Sequence, residues 1–279
     1  MAHSRLSDLC LRARHGEQAR HHLRAAMLVL EQLGAWSYMV QMRWGLVLAN
    51  LRIGAIDEAE HWLERTAPDR ADEAIGALMP VLGARAEILL ARGEVDAGLR
   101  LWRRAVDRFK NTGSPVFRVQ QPGLEPWTLE AQAAAVIAHA HHGRLGLVED
   151  IIGELPHRLA AMLAHPVVKP PAYLVETPVC GALLLALAMV GLHRGEQTGD
   201  AHATVSGARM VALAERLRFL QGFQPTTSAD RARHAAEHAD GPAYADAVSS
   251  YADLDRDALR AAALAVLRQR DQIRQCAIG

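Results

Sequence analysis

The chain has 279 residues, 50% of them hydrophobic and 22% charged, and its 31 basic residues balance 31 acidic ones. A chain of this length can bury a large core, either as one or two globular domains or as one continuous repeat array. Because the formal net charge is zero, composition excludes a global electrostatic attraction to nucleic acid or to an anionic membrane.

Cysteine usage and the apolar runs indicate a cytoplasmic protein. Cys10, Cys180 and Cys276 are widely separated and odd in number, so they suggest no disulfide framework and no Cys-x-x-Cys metal knuckle. The first residues lack the pattern of a signal peptide. The strongest apolar run, residues 181–192, is about twelve residues long, whereas a membrane span needs about twenty. The predominance of Arg over Lys, with Ala-rich helices, indicates a genome of high GC content.

Apolar residues at helical spacing, interrupted by glycine and proline, predict helices along the whole chain. The predicted helices cover residues 6–14, 18–33, 36–53, 56–65, 72–92, 94–110, 127–142, 147–164, 179–193, 204–220, 231–238, 244–251 and 255–267. The glycines predicted to form the corners between helices are Gly34, Gly54, Gly93, Gly143 and Gly195.

Two proline-rich connections, residues 111–126 and 165–178, separate these helices. Phe117, Trp127 and Tyr173 lie in or beside them. Since exposed aromatic rings are unfavourable in water, we expect these side chains to fold inward and narrow any groove nearby.

The stretch at residues 81–109 has the clearest repeat pattern. It reads as two amphipathic helices, with small residues where the two must touch: Ala86 on the first, Gly98 and Ala105 on the second. This pattern resembles the tetratricopeptide repeat, a helical hairpin of about 34 residues, although Leu82 replaces the first aromatic residue of that family. The resemblance implies a right-handed solenoid of helical hairpins.

The last part of the chain has a more specific resemblance. Its motif pieces are an A-E-x-L-R helix, an Arg-rich helix, a Tyr-containing helix and an acidic-capped helix, at residues 214–218, 231–238, 244–251 and 255–267. Ser228, Pro242 and Asp255 suit the starts of these helices. This order resembles the carboxy-terminal end of helical arrays in large bacterial signalling ATPases, including relatives of the antibiotic-pathway transcriptional regulators of actinomycetes.

These patterns together predict an all-α fold. Residues 1–220 are expected to form tetratricopeptide-like helical repeats in a right-handed solenoid, and residues 221–279 are expected to form C-terminal capping helices continuous with the array. The helical start suggests that the chain is part of something longer.

Motifs of catalysis and cofactor binding are missing from the sequence. It contains no G-x-x-x-x-G-K-[ST] phosphate loop, no G-x-S-x-G elbow, no H-E-x-x-H and no dinucleotide glycine fingerprint. His139 with His142, and His234 with His238, have spacings that could share a metal ion on a helix face. For His139 and His142 no Cys, Asp or Glu stands at supporting spacing, and the helix of His234 and His238 is amphipathic and expected on the surface, so we interpret both pairs as solvated histidines. We predict no enzyme activity, no cofactor and no metal.

Direct binding of nucleic acid is a further alternative, because arginine is abundant. Arg216, Arg218, Arg231 and Arg233 lie within a short stretch. Acidic residues interleave with them and no recognition-helix signature is present, so we interpret these faces as solvated and ion-paired.

The concave side of the predicted array is the candidate binding site. Counting from the corner glycines assigns eight residues to it: Gln41, Trp44, Arg52, Glu87, Glu130, His141, Met189 and His193. This mixture suits an extended peptide or a partner helix, and also a small-molecule ligand. The alternative is that Trp44 and Met189 belong to the core.

We therefore predict a non-catalytic protein-interaction or ligand-sensing domain of a larger bacterial transcriptional regulator or signalling ATPase. Neighbouring ATPase or DNA-binding domains of the parent chain are expected partners. The alternative is a stand-alone receptor for a peptide or small molecule.

Overall fold

The computed structural model describes residues 6–7, 10–11, 15–66, 81–112, 126–164, 173–219 and 222–276. Within these ranges the chain is all-α, as predicted, with one short 3-10 helix and no strand. The α-helices are α1 (Gly16–Gln32), α2 (Trp36–Arg52), α3 (Ile56–Thr66), α4 (Val81–Ala91), α5 (Val95–Thr112), α6 (Pro126–His141), α7 (Glu149–Ala164), α8 (Tyr173–Thr198), α9 (Ala201–Arg216), α10 (Ala229–Tyr251) and α11 (Arg256–Cys276). The 3-10 helix, Leu145–Val148, directly precedes α7.

The helices group into two compact units. Unit 1 comprises Met1–Ser114 together with Gln221–Thr226, and unit 2 comprises Pro115–Leu220 together with Thr227–Gly279. Along the sequence, the short segment Gln221–Thr226 of unit 1 therefore lies between the two stretches of unit 2. The predicted boundary between repeats and capping helices at residue 220 stays a prediction, because the two units do not correspond to repeats and cap.

Among the described helices of unit 1, each packs against the following described helix, from α1 through α5. Helix α1 buries Ala19, Leu23 and Ala26 against α2 because these residues recur at helical spacing on one face. A second cluster joins α2, α3 and α4; its members are Val47, Leu51, Ala59, Leu63, Ala84 and Ile88.

Small residues lie where α4 and α5 touch, which confirms the prediction made from residues 81–109. Gly98 is buried, and a Cβ atom added there would lie 2.7 Å from Leu90 Cγ and 3.1 Å from the Ala86 carbonyl oxygen. Ala86 and Ala105 are also buried. Only a residue without a side chain lets the two backbones approach this closely.

In unit 2, helices α6 and α8 form the centre of the core. All residues of α6 from Thr128 to Ala140 are buried. Helix α8 packs against α6, α7, α9 and α10, while α11 contacts α7 and α9. The Thr177–Thr198 part of α8 is long and apolar enough to cross a membrane, but 78% of its apolar window is buried inside the protein. A buried core helix passes the same test, so this is weak evidence for a membrane span.

Two predicted helix caps in the last part of the chain are confirmed. Ser228 Oγ accepts a hydrogen bond from the Arg231 backbone N–H at 3.3 Å, at the start of α10. Asp255 Oδ1 accepts one from the Ala258 N–H at 2.9 Å, at the start of α11. Each cap satisfies a backbone donor that has no partner within the helix.

Helix α10 contains both helices predicted at residues 231–238 and 244–251, joined by a kink at Asp240. The backbone there is non-helical, with φ −157° and ψ 82°. Asp240 Oδ1 accepts a hydrogen bond from the Ala243 N–H at 2.9 Å and so caps the second half of the helix. Pro242 therefore lies in a first helical turn, as predicted.

Five glycines with φ between 63° and 82° end helices at the corners of the fold: Gly34, Gly54, Gly93, Gly143 and Gly199. The residue after each glycine donates its N–H to a carbonyl five residues earlier, as Glu94 does to Leu89 at 2.9 Å. These are Schellman corners, whose left-handed position favours glycine. Four of the five predicted corners are thus confirmed.

The fifth predicted corner, Gly195, is wrong. This glycine lies inside α8, and the turn follows at Gly199. Gly195 is buried because α9 crosses directly over it: a Cβ atom would lie 2.9 Å from the Thr204 nitrogen and would clash with the Thr204 hydroxyl. The glycine therefore serves a close approach of two helices instead of a turn.

Other predictions fall partly or wholly outside the described residues. The start of the helix predicted at 72–92 and the position of Phe117 lie outside them. Trp127 and Tyr173 lie in the first turns of α6 and α8, so α8 begins within the predicted loop at 165–178 and continues through Pro178.

Substitution of two helical glycines is expected to have opposite effects on stability. Gly195→Ala should lower the free energy of unfolding by about 1 to 3 kcal/mol, because α9 must move away from the new methyl group. Gly153→Ala, in α7 with nothing within 4 Å of its Cβ position, should raise it by about 0.5 to 1 kcal/mol. Urea unfolding of both variants measures the difference, and an equal effect in both would contradict the close approach at Gly195.

Candidate functional site

The four predicted groove residues of unit 1 differ widely in exposure. Gln41 is exposed on α2, and Arg52 is half-buried near the end of that helix. Trp44 is also half-buried and packs against the cluster that joins α2, α3 and α4, which agrees with the alternative that it belongs to the core. Glu87 is fully buried in α4.

The four predicted groove residues of unit 2 are mostly inside the core. Glu130 on α6 and Met189 on α8 are buried, whereas His141 and His193 are half-buried. His193 lies beside the Gly143 corner, with its ring carbon 3.6 Å from the Cβ position of that glycine. The structure therefore presents few of the eight predicted residues to solvent.

Glu87 is held by hydrogen bonds to both of its carboxylate oxygens. Trp102 Nε1–H on α5 donates to Oε1 at 2.8 Å, and the backbone N–H of Thr226 donates to Oε2 at 2.8 Å. Thr226 belongs to the segment at residues 222–226, which we call the inserted segment. A buried carboxylate is tolerated only when such donors replace water.

An aromatic pair lies beside this carboxylate. The rings of Trp102 and Phe223 are T-shaped, with centroids 4.9 Å apart and an interplanar angle of 85°. Gly83 on α4 makes space for both rings, since a Cβ atom there would lie 2.8 Å from Trp102 Cη2 and 2.9 Å from Phe223 Cε1. Gly83, Glu87 and Trp102 together form what we call the Glu87 site.

Glu130 has a strongly perturbed ionisation. Burial within α6 raises the pKa of its carboxyl from 4.5 to about 7, because the apolar surroundings disfavour the charged form. Near neutral pH this side chain is thus divided between its neutral and charged forms. It is a buried titratable group in the middle of the unit 2 core.

Stability of the protein should therefore fall as the pH rises from about 4.5 to about 7. In that range the native state keeps the Glu130 proton while the unfolded state loses it, so rising pH favours unfolding, by up to roughly 3 kcal/mol. Glu130→Gln should remove this dependence and make the protein more stable than the wild type at pH 8. Glu196→Gln, an exposed control on α8, should leave the profile unchanged. Identical urea-unfolding profiles for wild type and Glu130→Gln would contradict the prediction.

The histidines near the end of α6 are less solvated than we predicted. His139 is buried, and its Nδ1–H donates to the Ala135 carbonyl oxygen at 2.7 Å. Burial, with a smaller effect from the charge of Arg231, lowers the pKa of His142. The interpretation as a solvated histidine is wrong for His139, which lies in the core, whereas His142 is half-buried.

The other histidine pair is exposed, as predicted. The rings of His234 and His238 lie on the surface of α10 and stack with centroids 6.5 Å apart. Across the part of the chain that the structure describes, no group of three or more His, Cys, Asp or Glu side chains could hold a metal ion.

A hydrogen-bonded network connects three of the four motif pieces at the end of the chain. Glu215 on α9 accepts from the Tyr244 hydroxyl at 2.7 Å and pairs with Arg233 Nη2 at 2.9 Å. Arg233 and Tyr244 lie on opposite sides of the α10 kink, so one carboxylate holds both halves of that helix. Burial, assisted by the bond to Glu215, raises the pKa of Tyr244 to about 12, so its hydroxyl remains a donor.

Sequence reasoning missed both this network and the inserted segment. Glu215, Arg233 and Tyr244 do lie in three of the motif pieces, which was the available signal. Nothing in the local pattern of residues 222–226 indicated that they would pack in unit 1.

The carboxylates of Glu87 and Glu215 already accept hydrogen bonds from neighbouring donors. Both residues therefore contribute to structure and recognition more readily than to proton transfer.

Loss of the Tyr244 hydroxyl should destabilise unit 2. Tyr244→Phe is expected to lower the free energy of unfolding by about 1 to 3 kcal/mol, the typical value of a hydrogen bond to a charged acceptor. Tyr251→Phe is the matched control on the same helix and should cost less stability. Burial is the main cause of the raised pKa of Tyr251, and no hydrogen bond contributes to it. Equal losses in the two variants, measured by urea unfolding, would contradict a stabilising role for the network.

Comparison of the chain with protein-family models, with curated proteins and with solved structures gave no match. The resemblances to tetratricopeptide repeats and to actinomycete regulators therefore stay predictions, based on the residues that carry them.

Proposed function

We propose that this chain is a non-catalytic protein-interaction module of a larger cytoplasmic bacterial regulator, and that its helical hairpins form a solenoid. The helix-to-helix packing along unit 1 and the repeated glycine corners support the solenoid. An exposed apolar surface in unit 1 supports the interaction role and is the single observation that carries the proposal.

This surface surrounds the Gly34 corner between α1 and α2. Leu28, Val29, Leu33 and Tyr38 have 62%, 49%, 72% and 60% of their surfaces exposed. Most of the exposed large hydrophobic side chains in the described ranges lie in this short stretch. We call these four residues the apolar corner.

Four exposed apolar side chains within one short stretch support an interaction surface there. Single exposed hydrophobic residues are common on proteins, but a contiguous group is unfavourable in water and typically becomes buried in a complex. Burial of such side chains contributes roughly 25 cal/mol per Å² of apolar area removed from water.

The charge of the apolar corner defines the chemistry of the partner. From residue 25 to residue 42 the only charged side chain is Glu31, which is exposed. A partner that covers the corner therefore needs an apolar face with a basic residue beside it. The occupant that we propose is an amphipathic helix of a partner protein, with an apolar stripe flanked by Lys or Arg.

Two synthetic helical peptides that share one apolar face test this proposal, one flanked by Lys and Arg and the other by Glu. The basic peptide should bind with micromolar affinity in fluorescence anisotropy, and the acidic peptide at least about ten-fold more weakly. The double variant Leu33→Ser/Tyr38→Ser should lose about ten-fold in affinity for the basic peptide, and Glu31→Gln should reduce the salt dependence of binding.

Leu147→Ser is the matched control, because Leu147 is also 60% exposed but lies in unit 2. It should bind the basic peptide as the wild type does. Equal binding of the basic peptide by the double variant and the wild type would overturn the proposal. Concentration-dependent self-association in sedimentation, abolished by the double variant, would identify a second copy of the chain as the occupant instead.

A further inference from the structure

We infer that the Glu87 site of unit 1 is a peptide-recognition site, and that the inserted segment of the same chain occupies it. A partner peptide of the same chemistry would then compete with this segment. The inference concerns a different surface from the apolar corner and does not depend on the function proposed for that corner.

The inserted segment contacts unit 1 as a peptide ligand contacts its receptor. It is irregular, with bends and turns instead of helix, and it follows α9 and precedes α10 along the chain. Phe223 places its ring against Trp102, and three residues later the Thr226 backbone N–H donates to Glu87. Main-chain hydrogen bonds, which give affinity, and spaces that fit particular side chains, which give specificity, are the features by which bound peptides are recognised.

Packing alone does not account for a carboxylate at position 87. The neighbouring buried residues on α4 are small or apolar: Gly83, Ala84, Ala86, Ile88 and Leu90. A hydrophobic side chain at this position would avoid the cost of desolvating a charge. Glu87 instead provides one oxygen to Trp102 and the other to a backbone N–H, which is the arrangement expected of a group that recognises a main chain.

The receptor part of the site is built largely from one helical hairpin. Trp102 on α5 donates to Glu87 on α4, so a hydrogen bond within the α4–α5 hairpin orients the carboxylate without any atom of the inserted segment. Gly83 leaves the space in which the Phe223 ring lies. A carboxylate that is already oriented and a space shaped for an aromatic ring reduce the cost of binding a peptide.

The covalent connection of the inserted segment gives it an advantage over any partner. A tethered ligand experiences a high effective concentration, commonly in the millimolar range for a short connection. A free peptide of equal intrinsic affinity therefore binds only weakly to the wild-type chain. A partner peptide that carries an aromatic residue, followed three positions later by a backbone N–H donor, competes best when the inserted segment is weakened.

A fluorescein-labelled peptide with the sequence of residues 221–227, QGFQPTT, tests this inference on the full chain. Phe223→Ala removes the ring of the inserted segment and leaves Gly83, Glu87 and Trp102 intact. Fluorescence anisotropy should show that this variant binds the labelled peptide at least about ten-fold more tightly than the wild type does. A control peptide in which the Phe is replaced by Ala should bind neither protein.

A second substitution tests the role of the carboxylate. In the Phe223→Ala background, Glu87→Gln should weaken binding of the labelled peptide at least about ten-fold, because the amide cannot accept from both donors as the carboxylate does. Glu196→Gln in the same background, an exposed change in unit 2, should leave binding unchanged.

Three outcomes would overturn the inference. The first is a Phe223→Ala chain that unfolds cooperatively and retains its helical circular dichroism yet does not bind the peptide. The second is equal binding of the Phe and Ala peptides. The third is failure of the chain to fold both with Phe223→Ala and with Thr226→Pro, which removes the N–H donor and leaves the Phe223 ring in place; it would show that the inserted segment is part of the unit 1 core.

Discussion

Neighbouring helices in both units approach one another at residues that lack a side chain, and the rest of the architecture depends on these approaches. A Cβ atom at Gly45 would lie 2.8 Å from Leu23 Cδ2, and one at Gly207 would lie 2.8 Å from Leu192 Cδ2. Since leucine side chains fill the space that a larger residue would need, each helix is fixed against the next at a short distance. Interiors packed at this density leave little freedom to change volume.

Close packing also explains the few charged groups that the core accepts. A carboxylate inside such a core is stabilised by donors within the fold, whereas Glu130, whose pKa is raised by burial, keeps its proton up to about neutral pH instead. Glu87 finds an indole and a backbone amide, while the half-buried Glu215 finds a hydroxyl and a guanidinium. In both cases the bonds join different elements of the fold, so the polar groups fix tertiary contacts that apolar packing alone would leave less specific.

The two surfaces argued to be functional represent opposite states of an interaction site. The apolar corner is exposed and lacks an occupant in the described chain, so its energetic cost is relieved only when a partner covers it. The Glu87 site is filled by the chain itself, so a partner must replace contacts that already exist. A module with both kinds of surface can bind one partner constitutively and another only under competition, provided that the two arrangements differ in affinity for the competing partner.

The sequence by itself determined the features that depend on neighbours along the chain. The all-α class, the corners at Gly34, Gly54, Gly93 and Gly143, and the cap at Ser228 follow from local preferences for glycine at left-handed positions and for hydroxyls at helix starts. A corner was misplaced at Gly195, where the reason for glycine is contact with another helix, which local pattern does not show.

Only the tertiary structure decided which side chains are buried together. Of the predicted groove residues, Gln41 remained exposed, whereas Glu87 and Glu130 proved to be inside the core. Helical spacing gives the face of a helix on which a residue lies, but the element that covers this face comes from a distant part of the chain. Thr226 reaches Glu87 across 139 residues of sequence, and loop-closure entropy and packing across such a separation leave no periodic signal in the residues between.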